Sequence, residues 1–92
     1  MSDQADIVVY GTTWCSQCFM AKRVLDSYGV NYRWIDLGED EEAVAYVESV
    51  NRGYRSVPTI VFPDGRILTE PAGNHLARVL VELGYSPPSG SA

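Results

Sequence analysis

The sequence predicts an α/β domain whose four-stranded mixed sheet is flanked by three helices, with helices on both faces. Three observations lead there. Short apolar runs of strand type, such as Ile7-Val8-Val9-Tyr10 and Thr59-Ile60-Val61-Phe62, alternate with stretches whose apolar residues recur at helical spacing. The first strand, the helix after it and the second strand are spaced for one right-handed crossover, which makes that pair parallel. Pro63-Asp64-Gly65 between two apolar runs is strong hairpin chemistry, which makes the later strands antiparallel.

Taken in order, residues 6–11 read as a central strand because their apolar run is nearly continuous. A helix follows over 16–28, with Lys22 and Arg23 outward, Cys18, Phe19, Val24 and Leu25 on the apolar face, and Gly29 as its stop. Residues 30–36 alternate, with Val30, Tyr32 and Trp34 on one side, as a second strand does. The acidic run Glu39-Asp40-Glu41-Glu42 opens a helix over 41–50, where negative charge complements the dipole. Val44, Val47 and Val50, beside Ala43 and Tyr46, are its expected inward face. The hairpin strands are 59–62 and 66–69. Leu76, Val79, Leu80 and Leu83 mark a last helix over 74–83, stopped by Gly84. Residues 6–83 are thus one domain, with 1–5 as a flexible N-terminus and 84–92 as a flexible, low-complexity tail.

Both cysteines of the chain lie in Trp14-Cys15-Ser16-Gln17-Cys18, at the turn from first strand to first helix. A Cys-x-x-Cys pair there reads as a thiol–disulfide redox site. Three residues apart at a helix start, the side chains share a face and can close a small disulfide ring. Cys15 falls where unpaired N–H groups and the dipole favour an anion, which lowers a thiol pKa to roughly 3.5–7.5 at such sites. Cys15 is therefore the expected nucleophile. Cys18, one turn further in, is the expected buried resolving thiol. A zinc site needs two further ligands, and beyond His75 only carboxylates remain, so no metal site is expected. A static disulfide this short constrains the unfolded chain little.

Composition narrows the rest. Ninety-two residues, 46% hydrophobic and 21% charged, make one ordinary globular domain. A net charge of −5 argues against general binding to nucleic acid or anionic membranes. No apolar stretch approaches the roughly 20 residues of a membrane span. The polar, acidic start Met1-Ser2-Asp3-Gln4-Ala5-Asp6 is unlike a secretory leader. A monomer in the reducing cytoplasm is expected.

The order of elements, with Cys-x-x-Cys after the first strand and Val57-Pro58 before the third, resembles the glutaredoxins of the thioredoxin fold across residues 6–83. The resemblance implies a thioredoxin-like, glutaredoxin-type α/β fold and a thiol–disulfide oxidoreductase. It implies a cis Pro58 opposite the nucleophilic sulfur, and a Val57 that offers its backbone N–H and C=O to an extended substrate. Ser16-Gln17 and Glu70-Pro71-Ala72-Gly73-Asn74 depart from the glutathione-dependent pattern, which has proline and tyrosine between the cysteines and a double glycine before the last helix. Gln17 suits an NrdH-type redoxin, which takes electrons from thioredoxin reductase for ribonucleotide reductase, but the closing motif of that subgroup is absent. The run from Glu48 to Pro58, the Asp64-Gly65 hairpin and Thr69-Glu70-Pro71 are most similar to mycoredoxins.

That resemblance implies reduction of mixed disulfides between proteins and a low-molecular-weight thiol, mycothiol preferred over glutathione, with no bound cofactor. Its partners would be S-thiolated or disulfide-containing proteins, the small thiol, and a thioredoxin-type or mycothione-type reductase. An iron–sulfur cluster held between two protomers is the binding alternative. Around the cysteines, Ser16 and Gln17 are expected to line the thiol-binding site, Trp14 to shield the sulfur or cap the core edge, and Thr13 to hydrogen-bond near Cys15 or serve the turn. Arg52 and Arg55 either meet a substrate or are solvated. Thr69 and Asn74 either bind a polar ligand group or cap the last helix. Lys22 either raises the local potential near Cys15 or is solvated, and His75 is expected as a surface residue rather than a base.

Overall fold

Local chemistry ends each element where the next must begin. The computed structural model describes residues 7–87, so the expected strand residue Asp6, the N-terminal segment 1–5 and residues 88–92 lie outside it. Strand β1 (Ile7–Gly11) leads through a turn into helix α1 (Ser16–Ser27). Gly29 at φ 69° then reverses the chain, with the Val30 N–H on the Leu25 carbonyl at 3.0 Å. Val30 is thereby part of the helix stop, and β2 begins two residues later than the alternation predicts (Tyr32–Asp36).

A single 3-10 turn (Leu37–Glu39) follows, and Asp40 caps α2 (Glu41–Val50) by accepting the Ala43 N–H at 3.0 Å. Arg52 at φ 59° ends that helix, with the Gly53 N–H on the Glu48 carbonyl at 2.7 Å. Strands β3 (Thr59–Val61) and β4 (Ile67–Thr69) are joined by a loop in which the Gly65 N–H meets the Phe62 carbonyl and the Phe62 N–H meets Arg66. Phe62 therefore closes the turn instead of extending the strand. Helix α3 (Gly73–Glu82) completes the order.

The sheet order is β2-β1-β3-β4, with β1 parallel to β2 and antiparallel to β3, and β3 antiparallel to β4. One face carries α1 and α3 over Ile7, Val9 and Ile60, with Ala21, Leu25, Leu76, Val79, Leu80 and Phe62 buried between. The other carries α2, where Ala43 and Val47 pack with Leu37, Tyr10 and Ile35. Val44 and Tyr46 flank that contact, and Val50 is only half-buried, because Ala43 and Val47 alone point straight at the sheet. Phe19, expected on the apolar face of α1, is exposed. Tyr85 packs against the larger core and its N–H reaches the Leu80 carbonyl at 3.0 Å. The packed body thus runs past the expected limit at Leu83.

Candidate active site

The end of β1 and the start of α1 place the cysteines differently, and both are free thiols. Cys15 is the N-cap of α1, extended at φ −95° and ψ 116°. A cap is where the first helical N–H groups lack partners, and its sulfur accepts the Cys18 N–H at 3.2 Å. Cys15 is half-exposed, so an outside disulfide can approach it. Cys18 is 1% exposed. Burial pushes its thiol up to about 12, helped by Cys15, while a hydrogen bond from the Thr12 backbone and the charge of Lys22 oppose the rise.

The opposite wall is the loop before β3. The Val57–Pro58 peptide bond is cis, and the Cys15 thiol faces the Val57 carbonyl oxygen at 3.9 Å. Pro58 is buried and Val57 half-buried. The loop is fastened by a polar chain that local sequence patterns do not show. Asn51 donates to the Val47 carbonyl at 2.9 Å and to Thr59 Oγ1 at 3.1 Å. Thr59, fully buried, donates to the Ser56 carbonyl at 2.7 Å, and Thr69 donates to Asn51 Oδ1 at 2.7 Å. The end of α2, the Val57 loop and β4 are thus held by one side chain.

Comparison with known proteins agrees with this arrangement: residues 7–68 match the glutaredoxin family model. The chain belongs to the glutaredoxin family. It is a glutaredoxin-like thiol–disulfide oxidoreductase. Mycoredoxin 1 of Corynebacterium glutamicum is 42% identical over 67 residues, which span 73% of this chain and 82% of that protein. A provisionally named glutaredoxin of Mycobacterium tuberculosis is 35% identical over 79 residues, 86% of this chain and 94% of its own. Among solved structures, the glutaredoxin from Archaeoglobus fulgidus superposes with a TM-score of 0.70 at 26% identity, covering 84% of this chain and 87% of that one.

Of the other expected site residues of this glutaredoxin, Trp14, Arg55 and Val57 share one groove. Trp14 is 79% exposed, so it caps no core edge. It borders a groove of about 200 Å³ with Thr12, Leu37, Gly38, Arg55 and Val57. Thr13 is exposed, and no hydrogen bond joins it to Cys15; the Thr12 backbone serves Cys18 instead. Ser16 and Gln17 are exposed on the first turn of α1. Arg55 reaches that groove while pairing with Glu48 at 3.0 Å. Thr69 is exposed and donates its hydroxyl to Asn51 Oδ1, which leaves its lone pairs able to accept from a ligand. Asn74 is exposed in the first turn of α3, whose N-cap, Ala72, makes no side-chain cap bond. His75 is exposed.

Lys22 departs from its expected place on the surface. It is half-buried, with its ammonium 4.1 Å above the Trp34 ring. Sequence reasoning missed Gly11, Thr12, Trp34 and Asn51. Only Gly11 carried a signal, as a glycine closing a strand. A Cβ there would stand 2.6 Å from the Trp34 ring and 2.7 Å from the Cys18 sulfur.

Proposed function

We propose that this glutaredoxin reduces mixed disulfides between proteins and a low-molecular-weight thiol, with mycothiol preferred, using Cys15 as nucleophile and Cys18 as resolving thiol. The observation that carries the reading is the asymmetry of the pair. Cys15 is half-exposed at a helix cap, receives an N–H at 3.2 Å and faces the Val57 carbonyl, whereas Cys18 is buried and held protonated. The thiolate is the attacking species, and Cys15 holds the sulfur of the pair that a disulfide from outside can reach.

In the first step the Cys15 thiolate attacks the small-thiol sulfur, and the protein thiolate leaves with the electron pair of the broken S–S bond. Cys15 is then joined to the small thiol. A second small-thiol molecule can release it as a small-thiol disulfide; alternatively Cys18 attacks Cys15 and releases the small thiol. The backbone of Val57 supplies an edge along which an extended peptide can lie. No cofactor has a step in this scheme, and the reducing cytoplasm suits it.

The choice of mycothiol rests on charge and on the 42% identity to a protein named Mycoredoxin 1. Glu70 is exposed at φ 49°, and its N–H donates to the Pro58 carbonyl at 2.8 Å, which puts its backbone beside the Val57 loop. A carboxylate at this position opposes the γ-glutamyl carboxylate of glutathione, whose other carboxylate Arg52 or Arg55 can still receive, and tolerates a neutral sugar conjugate of acetylcysteine. Turnover should be measured with mycothiol, glutathione, bacillithiol, and thioredoxin reductase with NADPH. Mycothiol should be fastest. Faster turnover with glutathione, or rapid reduction by thioredoxin reductase alone, overturns the preference. Glu70→Gly should raise glutathione use and leave mycothiol use unchanged.

A further inference from the structure

A second, small pocket of about 90 Å³ is lined by Thr12, Thr13, Phe19, Lys22 and Trp34, and the buried Cys18 is part of its wall. Its volume exceeds the roughly 10–15 Å³ that one water requires, and its wall is polar enough to hold one. The Thr12 hydroxyl oxygen is buried there with no protein partner among the described residues. Lys22 is fixed at the pocket by Trp34 beneath its ammonium and by Phe19, whose ring centroid is 6.0 Å away. Trp34 in turn is packed so closely on Gly11 that it leaves no room for a Cβ.

We propose that Lys22 is the cation that serves the resolving step: held over Trp34, it stabilises the Cys18 thiolate as the Cys18 proton leaves through this pocket. The inference rests on the reading of Cys18 as resolving thiol. A buried thiol attacks only after losing its proton, and burial opposes that loss. The groups whose charge acts on Cys18 are Cys15 and Lys22, both at α1. The turn after β1 contributes the Thr12 backbone and β2 the Trp34 indole, neither of which titrates in this range.

The step balances without an outside reagent. Cys18 gives its proton to water in the pocket, and its sulfur bonds to the Cys15 sulfur. The bond between Cys15 and the small thiol breaks, its electron pair leaves on the small-thiol sulfur, and that thiolate takes a proton from solvent. Cys15 and Cys18 end oxidised and the small thiol reduced.

The test is stopped-flow measurement of ring closure from the Cys15–small-thiol adduct, as a function of pH, in the parent protein, Lys22→Met and Lys22→Arg. Lys22→Met keeps the apolar stem. It should slow closure about threefold to tenfold at neutral pH, the change produced by up to one unit of thiol pKa, and move the rising limb of the profile to higher pH. Lys22→Arg should restore most of the rate. Closure should fall by more than the first attack, measured separately in a Cys18→Ser background with and without Lys22→Met. A merely structural role would lower both alike and leave the pH profile in place. If the parent never closes, the resolving role of Cys18 fails and the inference with it. If the parent closes and Lys22→Met leaves rate and profile unchanged, the inference alone is overturned.

Discussion

The backbone N–H of Cys18 points at the sulfur of Cys15 from 3.2 Å. One residue thus supplies a donor to its neighbour with its main chain and a buried thiol with its side chain. The main-chain donor survives any substitution at position 18, so the two contributions can be separated.

Cys15→Ser should abolish activity on every disulfide, because an alcohol is not ionised near neutral pH. Cys18→Ser should keep reduction of small-thiol mixed disulfides and lose reduction of protein disulfides that require a second thiol. Assays with both substrate types check this. A Cys18 variant inactive on both would remove the division of roles.

The buried Cys18 thiol gives a pH signature. Its pKa is raised from an ordinary value of 9.0 to about 12, so between those values the unfolded chain has released a proton that the folded chain retains. Stability from this group is fully present below about pH 9 and is lost as pH rises towards 12. Urea unfolding of the reduced protein should therefore fall more steeply over that window than that of Cys18→Ala. Parallel curves would contradict the burial effect. At neutral pH, alkylation of the reduced protein should mark Cys15 alone, as peptide mapping would show.

Gly11→Ala should be costly although alanine is small. The new methyl would meet the Trp34 ring at 2.6 Å and the Cys18 sulfur at 2.7 Å, so the sulfur or the indole must move. Overpacking of this kind costs typically about 1–3 kcal/mol. Denaturant unfolding should show the loss, and the rate of Cys15–Cys18 disulfide formation should drop with it.

Asn51→Ala should act on the substrate wall from a distance. It removes hydrogen bonds to the Val47 carbonyl, Thr59 and Thr69, and leaves Thr59, 0% exposed, with fewer partners. A buried polar group stripped of a partner costs about 1–3 kcal/mol. Because Thr59 also holds the Ser56 carbonyl, the Val57 edge should loosen, raising KM for protein disulfides more than it lowers kcat. An unchanged KM would show that the loop is held by other means.

What the sequence alone determined were the features written within a few residues of one another. Helical spacing located the α-helices, and alternation or short apolar runs located the strands of the described residues, because burial imposes those patterns. Asp64-Gly65 located the hairpin, because a tight turn needs a residue free to adopt positive φ. The Cys-x-x-Cys at a strand-to-helix turn located the reactive pair, because the helix start is what makes that spacing useful. Only the tertiary structure decided which groups serve those sulfurs. Parallel pairing of β1 with β2 sets Val9 beside Trp34 and thereby brings the indole over Gly11 and under Lys22. The same holds for Asn51, which meets Thr69 across 18 residues, and for Trp14, left 79% exposed beside the groove. Such contacts depend on strand register and on the angle at which helices cross the sheet. No spacing within a single segment encodes them.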